Sequence, residues 1–399
     1  MARASGSRWQ PSYVTESSLG VPSGTEFKKT RLLLASALEQ KRSNLQSQQA
    51  VGDRSVAPGR LGNKTNTFRA NGELSYGTFE DFIASACMNS WVAAGTAISA
   101  LSVTVNAGTT NTMAATGIGG TGASLISVGD YVKVSGFASG YTANNGFFKV
   151  TARTDNMLTF GEAKDPETGA SLLTAATSQA GITVQRMGYL ITGSTEKSLA
   201  FEDAQLDTAT PIYFEALGCV ANGMTLSMAT DGIVTCNFDF IAKKILGPSG
   251  TKYAGSYADP STTLPIRATD CVVVIDAAPV ATITQLNLAM ANQRSPQFSI
   301  GLDEATGISY GRSNLTGNLS LYVESSSFWT KYAAETRFAL GLRFMDSGGT
   351  TGYALDVPRV FITDAQFQKS ETDVIQNIPF QVEKDPTSGL INWRWWKLA

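Results

Sequence analysis

Histidine is absent from all 399 residues. That removes the Ser-His-Asp and Cys-His constellations, imidazole acid–base catalysis and histidine-ligated metals. Charge is also scarce. Asp, Glu, Lys and Arg make up 16% of the chain, against about 25% in an average soluble domain. Serine, threonine, asparagine and glycine take their place. A net charge of −2 gives no general attraction to nucleic acid, which needs a basic face. Cysteine is limited to Cys87, Cys219, Cys236 and Cys271. None forms a CxxC pair, which argues against a zinc site and for reduced, buried thiols in a chain that folds in a cytoplasm. The most apolar run, residues 271–280, is too short to span a bilayer and contains Asp276 and Pro279. Residues 1–14 carry two arginines with no apolar stretch behind them, so no secretory signal is expected.

Hydrophobic residues make up 43%, enough for a substantial core, and the length suggests two or three domains at about 150 residues each. Residues 1–30 read as an extended polar arm, 31–38 as a short apolar element, and 39–64 as a long mobile basic-polar loop. A strand is expected over 67–76. A short helix follows, with Phe79, Phe82, Ile83 and Ala86 on one face, Thr78 as N-cap, and Glu80 and Asp81 at the positive end of its dipole. Between 97 and 188 the composition shifts to Gly, Ala, Thr and Asn. Strands at 131–134, 148–151, 157–160 and 182–184 alternate there with turns such as Asn144-Asn145-Gly146 and Asp165 to Gly169. This segment reads as a small all-β domain inserted in a host. The host resumes with strands at 196–206, 223–228 and 234–241, then a linker at 246–263.

The remainder repeats the plan. Gly317-Asn318-Leu319-Ser320-Leu321 echoes Gly72-Glu73-Leu74-Ser75-Tyr76. Phe328, Trp329, Tyr332 and Ala333 take the places of Phe82, Ile83, Ala86 and Cys87. Strands at 337–344, 357–367 and 374–383 complete it, with Phe380 echoing Phe240. The expected architecture is therefore mainly β: two tandem folds, each with a short helix, plus the insert. The first fold combines 1–96 with 189–245, the insert is 97–188, the linker 246–263, and the second fold 264–399.

Chemical motifs are weak. Gly117-Ile118-Gly119-Gly120-Thr121-Gly122 has dinucleotide-site spacing, but no helix is expected after it to receive phosphates. The acidic pairs Glu80-Asp81, Glu202-Asp203 and Asp303-Glu304 would serve a glycosidase only if they converged in a cleft. Trp393-Arg394-Trp395-Trp396-Lys397 could stack on bases, but suits a last strand with Trp393 and Trp395 packed on one face, or a docking strip. No catalytic, cofactor-binding or metal-ligating residues are expected.

Taken in order, the strand–helix unit NGELSYGTFEDFIASACMNSW (71–91), KSLAFEDAQL (197–206) and YFEALGCVANGMTLSMATDGIVTCNFDFIAKK (213–244) resemble tail tube proteins of siphophages, the long-tailed bacteriophages. The resemblance implies a structural, non-enzymatic virion protein that forms stacked rings. It implies that the two tandem folds are β-sandwiches, each flanked by a short helix, with neighbouring sheets joined into a lumen-lining barrel and loop and arm stapling ring to ring. Implied partners are further copies of the chain, the tape measure, tail terminator and distal tail proteins, and DNA that passes without specific binding. The expected location is the virion tail, assembled in the host cytoplasm without a membrane. Family tubes close with sixfold symmetry from single-fold subunits, so a duplicated chain implies a trimeric ring with pseudo-sixfold symmetry. The insert is expected on the outside. Other readings are a capsid decoration or adhesion subunit, and a carboxylate-based glycosidase.

Overall fold

The computed structural model describes residues 8–48, 58–108, 110–161, 171–369, 373–386 and 392–399. The chain is mainly β. Outside residues 97–188 the strands needed below are β1 (Trp9–Ser18), β2 (Ala37–Gln46), β3 (Gly59–Glu73), β4 (Leu199–Gln205), β5 (Ile212–Ala229), β6 (Thr235–Ala242) and β7 (Lys244–Ser249), then β8 (Cys271–Ile275), β9 (Ile283–Ala291), β10 (Asn314–Tyr322), β11 (Phe338–Met345), β12 (Gly352–Ile362), β13 (Gln366–Lys369), β14 (Val374–Val382) and β15 (Arg394–Leu398). Two α-helices are described, α1 (Glu80–Cys87) and α2 (Ser327–Ala333).

The pairings follow one pattern twice. In the first half β1 pairs with β4, β4 with β5, β5 with β6, β6 with β3, and β3 with β2. In the second half β8 pairs with β11, β11 with β12, β12 with β14, β14 with β10, and β10 with β9. The helix follows β3 in one half and β10 in the other. Strand β13 continues β12 along β14, as the C-terminal part of β5 runs along β6.

The register corrects part of the sequence comparison. Phe240 faces Phe68, and Phe380 faces Gly317. If Phe240 matches Phe380, Gly317 matches Phe68 rather than Gly72. The glycine echo and the phenylalanine echo are thus out of step, because two β-strands of similar composition align by eye in more than one register.

The main core gathers aromatic side chains from distant strands. Phe68 and Phe201 have ring centroids 4.4 Å apart, Phe201 and Phe240 5.0 Å, and Tyr13 and Phe82 4.9 Å. Burying each such ring contributes about 1.5–3 kcal/mol. Phe79, Phe82, Ile83 and Ala86 all lie in this core, as their spacing predicts. Thr78, however, does not cap α1. Phe79 occupies the cap position, and the Thr78 hydroxyl lies 2.7 Å from that of Ser75.

Segment 97–188 holds a closed six-stranded barrel built from Ile98–Asn106, Asn111–Ala114, Tyr131–Ser135, Gly146–Thr154, Met157–Phe160 and Ala176–Arg186, with its own core. Its ends lie together: Gly95 N–H donates to the Arg186 carbonyl at 2.9 Å, and Val92 bridges Tyr189. The 165–169 turn lies outside the described residues.

Three segments read as loose are built in. Residues 9–29 are no free arm: β1 pairs along β4, Glu26–Lys29 pairs with β1, and Tyr13, Val14 and Phe27 are buried. Residues 39–48 and 58–64 are no loop but the stem of the β2–β3 hairpin; its tip, 49–57, lies outside the described residues. The 246–263 segment continues β7, and Ser256–Ala258 then runs parallel to Glu26–Lys29. Backbone pairing explains all three. Each is held by backbone hydrogen bonds to strands far away in sequence, which local hydropathy does not reveal.

Candidate assembly surface

Eight strands form an unbroken row: β2-β3-β6-β5-β9-β10-β14-β13. Alternation along each strand sends every second side chain to one face. Cys236, Phe238 and Phe240 of β6, Leu286, Leu288 and Met290 of β9, and Ile378 and Phe380 of β14 are buried in the core. The opposite face carries Asn71, Thr235, Asn237, Thr225, Ser227, Asn287, Thr316, Asn318, Asn377, Gln366 and Gln368, in cross-strand rows such as Asn71–Asn237–Thr225 and Asn287–Asn318. Ser320 Oγ donates to Asn377 Oδ1 at 2.8 Å on this face. Its charges are few and concentrated in the first half: Arg69 Nε donates to Asp239 at 3.1 Å, and Glu39 lies 2.7 Å from Lys41. The result is a broad polar surface with little net charge.

Both ends of the row are open. Among the described residues, β2 pairs only with β3, and β13 only with β14. Beside β13 stand the exposed aromatics Phe367 and Trp329, with ring centroids 6.1 Å apart, and Tyr332 lies 5.7 Å from Trp329. Of the four α2 residues matched to Phe82, Ile83, Ala86 and Cys87, only Phe328 is buried, whereas all four in α1 are. The helix matching α1 thus leaves much of its aromatic face in solvent, next to an open edge.

The middle of the row is a junction between the two halves. β5 of the first half pairs with β9 of the second over seven residue pairs, Gly223↔Ala291 to Ala229↔Gln285. The sequence reading missed β9, although Leu286, Leu288 and Met290 alternate there with Gln285, Asn287 and Ala289.

The acidic pairs do not converge. Asp81 accepts from Tyr13 Oη and Lys28 Nζ at 3.0 and 3.1 Å, while Glu80 meets Lys397. Buried Glu202 accepts from the Tyr253 and Ala254 amides, and Asp203 from the Trp9 indole. Asp303 and Glu304 sit beyond β9 and clamp the hairpin stem: Arg42 reaches Asp303 at 2.8 Å, and Lys64 reaches both at 3.2 Å. The hydrogen bond from Lys64 holds the Asp303 carboxyl below its ordinary range. Glu215, directly across from Glu202, is pushed up to about 7 by burial, then by Glu202 and Glu16.

The other motifs are structural. The glycine-rich 117–122 stretch turns into a three-residue helical turn, Gly122–Ser124, too short to receive phosphates. Trp393, Trp395 and Trp396 are all buried, leaving no indole face for a base. Trp393 and Trp395 join the main core, as expected of a last strand. Trp396 packs on the other side against Tyr131 of the barrel, at 5.7 Å. The described residues contain no cluster of three metal-ligating side chains and no helix long and apolar enough to cross a membrane.

No curated protein matches the chain. A family model described as phage tail tube protein matches residues 6–382, which takes in both halves of the strand row, its two open ends and the barrel. With a match over nearly its whole length, this β-rich chain with its polar face and free edges belongs to the phage tail tube protein family.

Proposed function

We propose that this chain polymerises through the ends of its eight-strand row into three-membered rings, that the rings stack into the tail tube, and that the polar face lines a channel for DNA. The observation that carries the reading is the row itself, packed on one face, polar on the other and open at both ends. An open edge invites pairing. Joining two unlike edges is a heterologous contact, which closes into a ring when the rotation allows. Within each chain two similar units already stand side by side, so three chains supply six.

The polar face suits passage rather than grip. DNA affinity grows with each phosphate neutralised by lysine or arginine, and this face offers amides and hydroxyls instead. The role is structural and non-catalytic, with no cofactor. Its partners are further copies, the tape measure, terminator and distal tail proteins, in a virion tail built in the host cytoplasm. The β2–β3 hairpin, at an open end of the row, serves as the staple between rings. Electron microscopy of the purified protein tests the reading: tubes or rings with three chains per turn are expected. A protein that stays monomeric at high concentration, or rings of six chains, would refute it.

A further inference from the structure

The two halves of the chain are already joined by the kind of contact that a ring needs. At that contact β5 of the first half pairs with β9 of the second. Pairing places β9 where β2 stands in the first half: each borders the strand before the helix, β10 or β3. It likewise places β13 where the C-terminal part of β5 stands: each borders the last strand of the row's pattern, β14 or β6. The open strands β13 and β2 are therefore the counterparts of the joined pair β5 and β9.

The register follows residue by residue. The β4–β5 and β11–β12 pairings carry the same bulge, Leu199↔Cys219 to Phe201↔Ala216 in one half and Phe338↔Val360 to Leu340↔Val357 in the other, so Cys219 matches Val360. Counted along the next strand from Val220↔Ile241 and Val360↔Val382, Phe240 of β6 matches Phe380 of β14, and their partners Phe68 and Gly317 match in turn. Leu288 faces Gly317 and Leu38 faces Phe68, so Leu38 takes the place of Leu288. Leu226 faces Cys236 and Phe367 faces Gln376, four positions before Phe240 and Phe380 respectively, so Phe367 takes the place of Leu226. In the internal junction Leu226 faces Leu288, and both are buried.

We propose that the ring closes by antiparallel pairing of β13 with β2 of the next chain, in the register that sets Phe367 opposite Leu38. The proposal rests on the tube reading and names the strands and register through which it works. Chemistry agrees at each position. Leu38 already packs against the main core, and Phe367 is 41% exposed beside Trp329, itself exposed, so the pairing gives two apolar side chains a shared burial. On the other face the same register sets Gln366 beside Glu39 and Gln368 beside Ala37, continuing the polar surface without placing like charges opposite each other. The occupant is a second copy of this chain, because the template is the chain's own other half.

Disulfide trapping tests the register. Directly opposed residues of antiparallel strands have Cα atoms about 4.5–5.5 Å apart, within disulfide range. In a Cys271→Ser background, Leu38→Cys with Phe367→Cys should give covalent trimers on mild oxidation of assembled protein. Gln40→Cys with Phe367→Cys, two residues out of register, should give several-fold less. Rings or tubes that form without 38–367 cross-links, or that cross-link better at 40–367, overturn the register while leaving the tube reading intact. If wild-type protein forms no rings, both fail. Hydrogen exchange on wild-type protein covers the case in which the cysteine variants do not assemble: alternate amides of 37–40 and 366–368 should gain protection on assembly, and unchanged exchange there overturns the proposal.

Discussion

Gly72 shows how closely this fold is fitted at single residues. A Cβ there would lie 2.2 Å from Cζ of Phe79, and the Phe79 ring is fully buried between α1 and the sheet. Gly72→Ala should cost about 1–3 kcal/mol by overpacking, read from chemical denaturation. Adding Phe79→Leu should recover part of the loss, since the two sites are coupled; equal, additive losses would show that the ring is not the obstacle. Glu215 sets a pH dependence. Its folded pKa is raised to about 7 from an ordinary 4.5, so the folded chain holds a proton that the unfolded chain releases. Between those values stability falls as pH rises. The groups facing it are Glu202 across the strand and Glu16, both of the same sign. Glu215→Gln should raise the melting temperature at pH 8 and change it little at pH 4. An equal shift at both would point to packing instead of charge.

At the scale of elements, the barrel is closed in its own pairing yet not independent in its packing. Tyr131 and Phe147 of the barrel share a cluster with Ala354, Trp396 and Leu398, and Lys149 pairs with Asp356 at 2.5 Å. Its two ends meet at Gly95 and Arg186, so a short linker can replace it without stretching the host. We expect a chain lacking residues 97–188 to fold and still form tubes, at a melting temperature several degrees lower, because Trp396 and Leu398 become exposed and Asp356 loses its cation. Folded protein that never polymerises would place the barrel in the ring contact. Unaltered melting would mean that the Trp396 cluster contributes nothing. The β2–β3 hairpin illustrates the reverse case: it has little apolar content and is held by backbone pairing and by the Asp303–Glu304 clamp.

For the whole molecule, the proposed three-chain ring turns on strand number. Barrel diameter grows roughly linearly with strand count, and about eight strands leave an interior only wide enough for side chains. One chain's row of eight therefore cannot enclose DNA. Three copies bring about twenty-four strands, well past the 16–18 that already leave an aqueous channel. In the proposed ring, two similar units on one chain would also halve the number of free bodies to be ordered, which lowers the entropic cost of association.

Local periodicity in the sequence was enough to establish a mainly β chain, the α1 face of Phe79, Phe82, Ile83 and Ala86, and the alternation in 234–241. The family resemblance rested on the 71–91 and 213–244 segments. The missing histidine and the absence of a convergent motif argued against most catalytic chemistry. Tertiary structure alone decided what each strand pairs with. Residues 9–29 and the hairpin stem at 39–48 and 58–64 look like arm and loop because backbone hydrogen bonds to distant partners hold them in place, and every residue except proline can donate such a bond, so local side-chain pattern does not report them. The four-residue slip between the Gly72 and Phe240 echoes has the same origin: a period of two allows several registers, and only the partner strand selects one. The junction of β5 with β9 joins residues about sixty positions apart, and such non-local pairing leaves no mark in either segment by itself. The proposed assembly surface consists of that junction's open counterparts, which only the pairing of the two halves side by side reveals.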